Sequence, residues 1–225
     1  MTRLFIILFF TVTSLPVFAH KDKWDEHKSE WSPLMLAIYN GQTSKFLKLI
    51  KQNVDVNYNA IKNESEFQLT ALDVAIRIDN ENAINALLKT NKILNINKSL
   101  MTACAYEKAS TINLLIKYGA NPSYTNKFKH SVGMLATSSG SLEVLKALLD
   151  NGADINQTRG VGGMTMLMFA ASHGDVAKVK LLLEYGANKS IRTNKSETAF
   201  DYVNRIYPRY EVTQETKAEL RELLK

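Results

Sequence analysis

Residues 140–156 read GSLEVLKALLDNGADIN, and residues 174–188 read GDVAKVKLLLEYGAN. The two stretches align without a gap at a spacing of 34 residues. Residues 112–121, INLLIKYGAN, carry the same ending. An earlier copy lies at residues 41–57, and the weakest copy lies at residues 83–97. A period near 33 residues that persists through five copies indicates a repeat architecture, in which each unit buries its apolar face against its neighbours.

A shorter segment that begins with Ser or Thr precedes each copy. These opening residues are Ser32, Thr70, Ser99, Ser131, Thr165 and, for an incomplete sixth copy, Thr198. Ser and Thr cap helices because their side-chain oxygen accepts a backbone N–H. The longer segment has apolar residues at helical spacing, as in residues 144–149. Gly119, Gly152 and Gly186 follow it, where a left-handed residue commonly ends a helix. Each copy is therefore predicted to be a short helix, a long helix and a turn, or finger.

Together these features resemble the ankyrin repeat, whose pattern is T-P-L-H-x-A-A-x-x-G, then a longer apolar helix, then L-L-L-x-x-G-A-D/N. The resemblance covers about residues 32–203. It implies an all-α ankyrin-repeat solenoid of about five helix–turn–helix units with β-turn fingers and a C-terminal capping helix. We expect repeats near 32–64, 65–97, 98–130, 131–164 and 165–197, a partial repeat at 198–203, and the capping helix within 204–225.

The sequence departs from the family pattern in two ways. No copy keeps the histidine of the opening motif, and Met35, Asp73, Met101, Met134 and Met168 stand in its place. The hydrogen bonds that this histidine makes between repeats in the family are therefore expected to be absent. The spacing is also uneven, with 38 residues from Ser32 to Thr70 and 28 from Thr70 to Lys98. We expect a long first finger, a short second finger and an irregular stack at that point, with the last three copies the most regular.

The N-terminus has the pattern of a secretory signal in residues 1–19. Arg3 precedes an apolar run at residues 4–10, and small side chains at Val17 and Ala19 suit a signal peptidase. We predict cleavage after Ala19, with export to the periplasm or beyond the cell; an uncleaved membrane anchor is the alternative. The charged leader at 20–31 is expected to cover the first repeat.

Five Asn-x-Ser/Thr triplets bear on the compartment. They begin at Asn63, Asn97, Asn156, Asn188 and Asn194. Sugars on several of them would crowd the expected binding surface in a eukaryotic secretory path. The triplets therefore favour a bacterial periplasm, where general glycosylation is absent.

Composition and reactive residues argue for a binding protein rather than an enzyme. Hydrophobic residues make up 45% and charged residues 22%, as in ordinary globular proteins. The net charge of +6 is scattered, so nucleic-acid binding is not predicted. Cys104 is the single cysteine, which excludes an intramolecular disulfide, and the glycine-rich residues 159–163 fit a finger tip rather than a phosphate loop. The four histidines are not paired with a nucleophile. We therefore predict no catalytic site, no cofactor and no metal.

One metal hypothesis stays open at the predicted new N-terminus. There His20, with His27 or Asp22, could hold copper or zinc, although a solvated leader is the preferred interpretation.

In the ankyrin family, partners usually meet the concave side that the fingers and the exposed faces of the short helices form. By motif position, the candidate partner-binding residues are Trp31, Tyr39, Asn40, Phe67, Arg77, Ile78, Tyr106, Lys127, Phe128, His130, Met164 and His173, with Leu69 and Ser172 on the same face. Trp31, Leu69 and Met164 could equally pack against a neighbouring turn.

The resemblance implies a non-catalytic protein-interaction module that is monomeric before it binds its partner. Exported bacterial ankyrin proteins include immunity proteins against a toxic secreted enzyme. Two alternatives are an accessory protein of a periplasmic stress enzyme such as catalase and a secreted effector that binds host proteins. No residue pattern separates the immunity role from the accessory role.

Overall fold

The computed structural model describes residues 28–60, 69–158, 162–205 and 212–225, and these ranges contain twelve α-helices and no extended strand. A short 3-10 turn at Lys28–Glu30 precedes the first helix. The helices are α1 (Pro33–Tyr39), α2 (Thr43–Lys51), α3 (Ala71–Arg77), α4 (Glu81–Leu88), α5 (Ile96–Ala105), α6 (Ala109–Lys117), α7 (Val132–Ser139), α8 (Leu142–Asp150), α9 (Met166–His173), α10 (Val176–Glu184), α11 (Ala199–Val203) and α12 (Gln214–Leu224). None of them is long and apolar enough to cross a membrane within the described ranges.

The helices form a single stack of two layers. The first helices of the repeats pack on one another in order: α1, α3, α5, α7, α9 and α11. We keep the name short helices for them, although α5 has 10 residues. The second, or long, helices pair with the short ones of their own repeat. Long helices also contact the next long helix along the stack, except that α4 and α6 make at most a marginal contact. The stack is therefore irregular between the second and third repeats, as the short spacing predicts. The expected all-α solenoid is confirmed.

The predicted helix caps are confirmed at four of the short helices. The side-chain oxygens of Ser32, Thr70, Ser131 and Thr165 each accept the backbone N–H three residues on. Ser99 is different, because α5 begins three residues earlier, after Asn95 in a left-handed conformation with φ of 55°. The chain reaches α5 directly, without a finger, so Ser99 lies inside the helix and is fully buried.

The left-handed ends of the long helices are also confirmed. Gly119, Gly152 and Gly186 have φ values of +96°, +80° and +84°, and a Cβ at any of them would meet open space. These glycines are therefore required by backbone conformation rather than by packing. Asn53 and Asn91 take the same role in the first two copies, with φ values of 59° and 53°; Asn tolerates this conformation better than most residues.

At Asp73, the expectation that no polar link joins the repeats at the family's histidine position was wrong. The Asp73 side chain is fully buried, and its Oδ1 accepts hydrogen bonds from Ser99 Oγ at 2.9 Å and Thr102 Oγ1 at 3.2 Å, both on α5. Its Oδ2 accepts from the N–H and hydroxyl of Thr70 at 3.0 and 2.7 Å. One carboxylate thus caps α3 and ties the second repeat to the third. The methionines at the other four positions are all buried apolar residues.

A ladder of asparagine side chains links the repeats on the finger side. The Oδ1 atoms of Asn57, Asn97 and Asn156 accept the backbone N–H of Leu94, Asn121 and Asn188 at 2.8, 2.7 and 2.9 Å. Asn57 and Asn156 lie in turns and accept from the next turn along the stack, whereas Asn97 lies at the start of α5 and accepts from the turn that follows α6. Asn57 Nδ2 also donates to the carbonyl oxygen of Lys92 at 2.8 Å, which adds a second bond between the first two repeats.

Both ends of the described stack are covered. At the first repeat, Trp31 is buried, and Tyr58 donates its hydroxyl to the carbonyl oxygen of Glu30 at 2.9 Å. At the other end α12 packs on α10 and α11, burying Leu220 and Leu224. Lys189 Nζ donates to the backbone oxygen of Lys225 at 2.6 Å, next to the end of α12.

Candidate protein-interaction face

The structure places the candidate residues in two groups. The short-helix ends, as we call them, comprise Tyr39, Asn40, Arg77, Ile78, Tyr106 and His173. The remaining described candidates, Trp31, Lys127, Phe128, His130 and Met164, lie before a short helix or in a finger. Phe67 lies outside the described residues, as do residues 1–27 with the predicted signal, His20 and His27.

At the first repeat the N-terminal segment covers part of the predicted surface. The rings of Trp31 and Tyr39 meet edge to face with centroids 5.3 Å apart. Lys28 Nζ lies 4.0 Å from the centre of the Tyr39 ring and donates to its hydroxyl at 2.9 Å. Trp31 is 5% exposed, so it packs against the repeat, whereas Asn40 is exposed. Tyr39 therefore offers only part of its surface to a partner.

The second and third repeats are joined on this face by a cation–π contact. The guanidinium carbon of Arg77, at the end of α3, lies 5.1 Å from the ring centre of Tyr106, at the end of α5. Asp79 in the same turn forms a 2.8 Å ion pair with Lys108 of the next repeat. An open groove of about 490 Å³ separates this turn from the first repeat, and its lining includes Tyr39 and Ile78. The groove therefore lies between the short-helix ends of the first two repeats, and the Arg77–Tyr106 contact continues the face to the third repeat.

The short helix of the fifth repeat, α9, ends in a second aromatic pair. The rings of Phe169 and His173 have centroids 4.2 Å apart, and His173 Nδ1 lies 2.8 Å from the carbonyl oxygen of Phe169. An imidazole with its proton on Nδ1 donates to that oxygen. His173 is partly exposed, while neighbouring Ser172 is buried.

The finger of the third repeat is a closed hairpin turn that spans residues 126–130. Asn126 N–H donates to the carbonyl oxygen of His130 at 2.9 Å, and an isolated β-bridge pairs Thr125 with Ser131. The buried side chain of Asn126 accepts the N–H groups of Phe128 and His130 at 3.0 and 2.8 Å. This turn carries Lys127, Phe128 and Lys129 at its outermost point, and we call these three residues the finger tip.

The finger tip is well exposed. Phe128 is 48% exposed, and Lys127 Nζ lies 4.9 Å from the centre of its ring. Lys129 is exposed as well and takes a left-handed φ of 65°. Sequence analysis missed Lys129 because the resemblance marks which positions belong to the finger and not which of them stands at its end.

Three other residues predicted on this face are packed rather than displayed. Leu69 and Ser172 are each 1% exposed, and Met164 is partly buried against the core. Their burial agrees with the second interpretation given for Leu69 and Met164, that they pack within the protein. Conversely, Leu94 is 65% exposed where the second finger is missing, and only the uneven spacing pointed to that position.

The reactive side chains of the described residues are in structural settings. Cys104 is fully buried, and burial raises the pKa of its thiol to about 12, which suppresses the thiolate needed for nucleophilic chemistry. Among the residues that the structure describes, no group of three or more His, Cys, Asp or Glu side chains is arranged to hold a metal ion.

Comparison with known proteins identifies the repeat. Residues 100–193 match the model of the Ankyrin repeats family in three copies, the part of the chain that we expected to be most regular. The chain is 36% identical over 107 residues to "Ankyrin repeat and SAM domain-containing protein 6" of Rattus norvegicus, covering 48% of this chain and 11% of that protein. It is 33% identical over 103 residues to "Ankyrin repeat protein nuc-2" of Neurospora crassa, covering 46% and 10%. The chain thus spans about a tenth of the length of these relatives.

Solved structures agree with the fold. One similar chain comes from a complex between a predatory endopeptidase of Bdellovibrio bacteriovorus and an immunity protein. It superimposes with a TM-score of 0.65 at 22% sequence identity, over 85% of this chain and 98% of that chain. The ankyrin repeat domain of Bcl-3 has a TM-score of 0.63 and 18% identity, with coverage of 86% and 98%. Residues 100–193 are therefore ankyrin repeats within a chain that has the all-α solenoid fold of ankyrin-repeat domains, and ankyrin repeats form protein-interaction domains.

Proposed function

We propose that this chain is an exported, non-catalytic protein-binding module that contacts its partner through the finger tip and the short-helix ends. The observation that carries the proposal is Phe128, a large aromatic side chain that is 48% exposed at the end of a hydrogen-bonded finger. Aromatic and Arg side chains commonly dominate the energy of protein interfaces. The Arg77–Tyr106 pair gives the same face a second contact of that kind.

Export is supported by the signal pattern in residues 1–19. The compartment we propose is a bacterial periplasm or the medium. Asn97 and Asn156, two of the five glycosylation triplets, are partly buried and accept hydrogen bonds from the next turn of the ladder. Bulky sugars there would meet the neighbouring finger, so the stack suits a compartment without general glycosylation.

For the partner we propose a toxic secreted hydrolase that this chain neutralises as an immunity protein. Support comes from the likeness, in fold and over most of both chains, to a chain of the endopeptidase–immunity protein complex. A continuous face of five repeats can also cover about 800 Å² per partner, the usual size of a stable interface.

The test is recovery of the partner with two matched double variants of the exported chain. The face variant carries Arg77→Glu and Phe128→Ala. The control variant carries Lys48→Glu and Leu47→Ala on α2, where Leu47 is 40% exposed, similar to Phe128. Each variant thus reverses one positive charge and truncates one exposed apolar side chain, and thermal melting checks that both fold.

We expect one secreted protein to be retained by the parent and the control variant and lost from the face variant. Its hydrolytic activity should disappear when the parent chain is added in equimolar amount, because an immunity protein blocks its target stoichiometrically. Mass spectrometry of the exported chain should give His20 as the first residue. Retention by the face variant, or loss from the control variant alone, would refute the proposed face; a bound protein with unchanged activity would refute the immunity role.

A further inference from the structure

We infer that the finger tip Lys127–Phe128–Lys129 is a preformed basic and aromatic anchor for a partner pocket with an apolar floor and a rim of carboxylates. The inference rests on the proposed protein-binding function and names the chemistry that one part of the face selects. It concerns a single finger, because the three residues stand together at the end of one turn.

The turn holds the finger tip in one conformation before any partner arrives. Four hydrogen bonds close it: Asn126 N–H to the carbonyl of His130 at 2.9 Å, Lys129 N–H to the carbonyl of Asn126 at 3.0 Å, and two that the Asn126 side chain accepts from Phe128 and His130. Asn126 is 8% exposed, so water competes little for these bonds. A loop already fixed in its bound shape loses less conformational entropy on binding.

The charge and apolar surface of the finger tip define what fits it. Phe128 carries an exposed ring that gains by entering an apolar pocket. Lys127 and Lys129 flank it, and neither takes part in an ion pair within the part of the chain that the structure describes. When the Phe128 ring enters the pocket, the ammonium groups of Lys127 and Lys129 come to lie at the pocket rim. They favour carboxylates there and disfavour basic side chains. The partner pocket is therefore acidic around an apolar centre.

The finger of the fifth repeat shows that this chemistry is not required by the fold. Residues 193–197 form the same turn: Thr193 N–H donates to the carbonyl of Glu197 at 2.8 Å, Ser196 N–H donates to the carbonyl of Thr193 at 2.8 Å, and Ser196 has a φ of 62°. Thr193 Oγ1 accepts the N–H groups of Lys195 and Glu197, as the Asn126 side chain does for its own turn. Its outermost residues are Asn194, Lys195 and Ser196, with no aromatic side chain. The two fingers therefore share the same turn, and the turn does not require an aromatic residue at the position of Phe128.

An anionic lipid surface fits the finger tip less well. Stable attachment of a protein to a membrane surface takes more than one weak signal, such as a second apolar group or a larger basic cluster. The equivalent finger offers no second aromatic residue. A pocket on a protein can surround the ring and the two lysines together, which a flat surface cannot.

The experiment exchanges one finger tip for the other. The swap variant carries Lys127→Asn, Phe128→Lys and Lys129→Ser, which is the sequence of residues 194–196 in the same turn. A charge variant carries Lys127→Gln and Lys129→Asn and keeps Phe128. The probe is a phage-displayed library of random dodecapeptides, selected on the parent chain at low salt. Each enriched peptide is then measured against the parent, both finger variants and the Arg77→Glu, Phe128→Ala face variant.

We expect enriched peptides with Asp or Glu beside Leu, Ile or Phe, whose affinity falls about tenfold or more in the swap variant and falls less in the charge variant. Peptides without acidic residues, peptides that bind the swap variant as well as the parent, or a selection that enriches nothing would each overturn the inference. Peptides lost only from the face variant would leave the protein-binding function in place while refuting this anchor. Swap-sensitive binding to phosphatidylglycerol vesicles without peptide binding would assign the finger tip to lipid and overturn the inference too.

Discussion

Substitution of Asp73 by Asn tests the polar joint between the second and third repeats. The side chain is fully buried and accepts four hydrogen bonds, two within the cap of α3 and two from Ser99 and Thr102 on α5. The Asn side chain has the same shape but only one acceptor oxygen, so two of the four hydrogen bonds are lost. Its NH₂ group then faces the donors that the second carboxylate oxygen had accepted from. The variant therefore tests charge and acceptor capacity with little change in volume.

The expected loss in the free energy of unfolding follows from those bonds. Hydrogen bonds to a charged group contribute about 1.5–3 kcal/mol each, and the neutral amide costs less to bury than the carboxylate. We expect Asp73→Asn to lower the free energy of unfolding by about 2–4 kcal/mol. Asp201 is the matched control, because it makes only the cap bonds, from the N–H and hydroxyl of Thr198 at 2.8 and 3.0 Å. Asp201→Asn should cost about 1 kcal/mol, the usual value of a helix cap.

Urea unfolding followed by far-ultraviolet circular dichroism measures both variants against the parent. Loss of the joint should also lower the cooperativity of unfolding, because each repeat in a stack is stabilised by its neighbours. Equal losses in the two variants, or a loss below about 0.5 kcal/mol for Asp73→Asn, would show that the bonds to α5 contribute nothing and would refute the reasoning.

Three further predictions follow from single residues. Gly174→Ala should destabilise the chain by about 1–3 kcal/mol and expose residues 212–224 to hydrogen exchange. The reason is that Gly174 has a φ of +72° and that a Cβ there would overlap Val212. Gly152→Ala is the control: Gly152 has a φ of +80° but faces open space, so this variant should destabilise less and leave residues 212–224 protected. Cys104, whose pKa burial raises to about 12, should react with a thiol reagent at about pH 8 only after unfolding, and rapid labelling of the native chain would contradict its burial. The hydrogen bonds from Thr198 hold the pKa of Asp201 below its ordinary value. The ionised Asp201 carboxylate therefore stabilises the fold above the pKa of the unfolded state, and this stabilisation disappears as the pH falls through the pKa of the folded state. An acid-unfolding curve unchanged by Asp201→Asn would contradict this.

The fold could be predicted from the sequence because its signals are local and repeated. The opening Ser or Thr, the helical apolar spacing and the closing Gly each act within one repeat, and Ser131 and Gly152 lie where their patterns predicted. The start of α5 could not be predicted in this way. It depends on a left-handed Asn95 and a missing finger, which together place Ser99 inside the helix.

The joint at Asp73 was misjudged for a related reason. A departure from the family histidine suggested that no polar link was present, whereas the carboxylate meets Ser99 and Thr102, whose positions depend on the irregular stacking of α5. Hydrogen bonds between residues so far apart in sequence follow from tertiary packing, which no local pattern encodes.

The candidate face could be predicted in outline only. Motif position identifies which residues belong to a finger or a short-helix end, and it placed Arg77 and Tyr106 on one face, where they meet. It does not show what covers a position. Trp31 is buried beside the N-terminal turn, and Leu69 is buried as well, with 1% of its surface exposed.

The most direct test of the protein-binding face places a photo-crosslinking phenylalanine analogue at one residue of the chain in living cells of the source organism. Position 128 lies on the finger tip, and position 47 lies on the outer helix α2 with similar exposure. We predict a discrete crosslinked product from position 128 and none from position 47. A product from position 47 alone, or none from either position while the chain is exported and folded, would contradict the assignment of this face to partner binding.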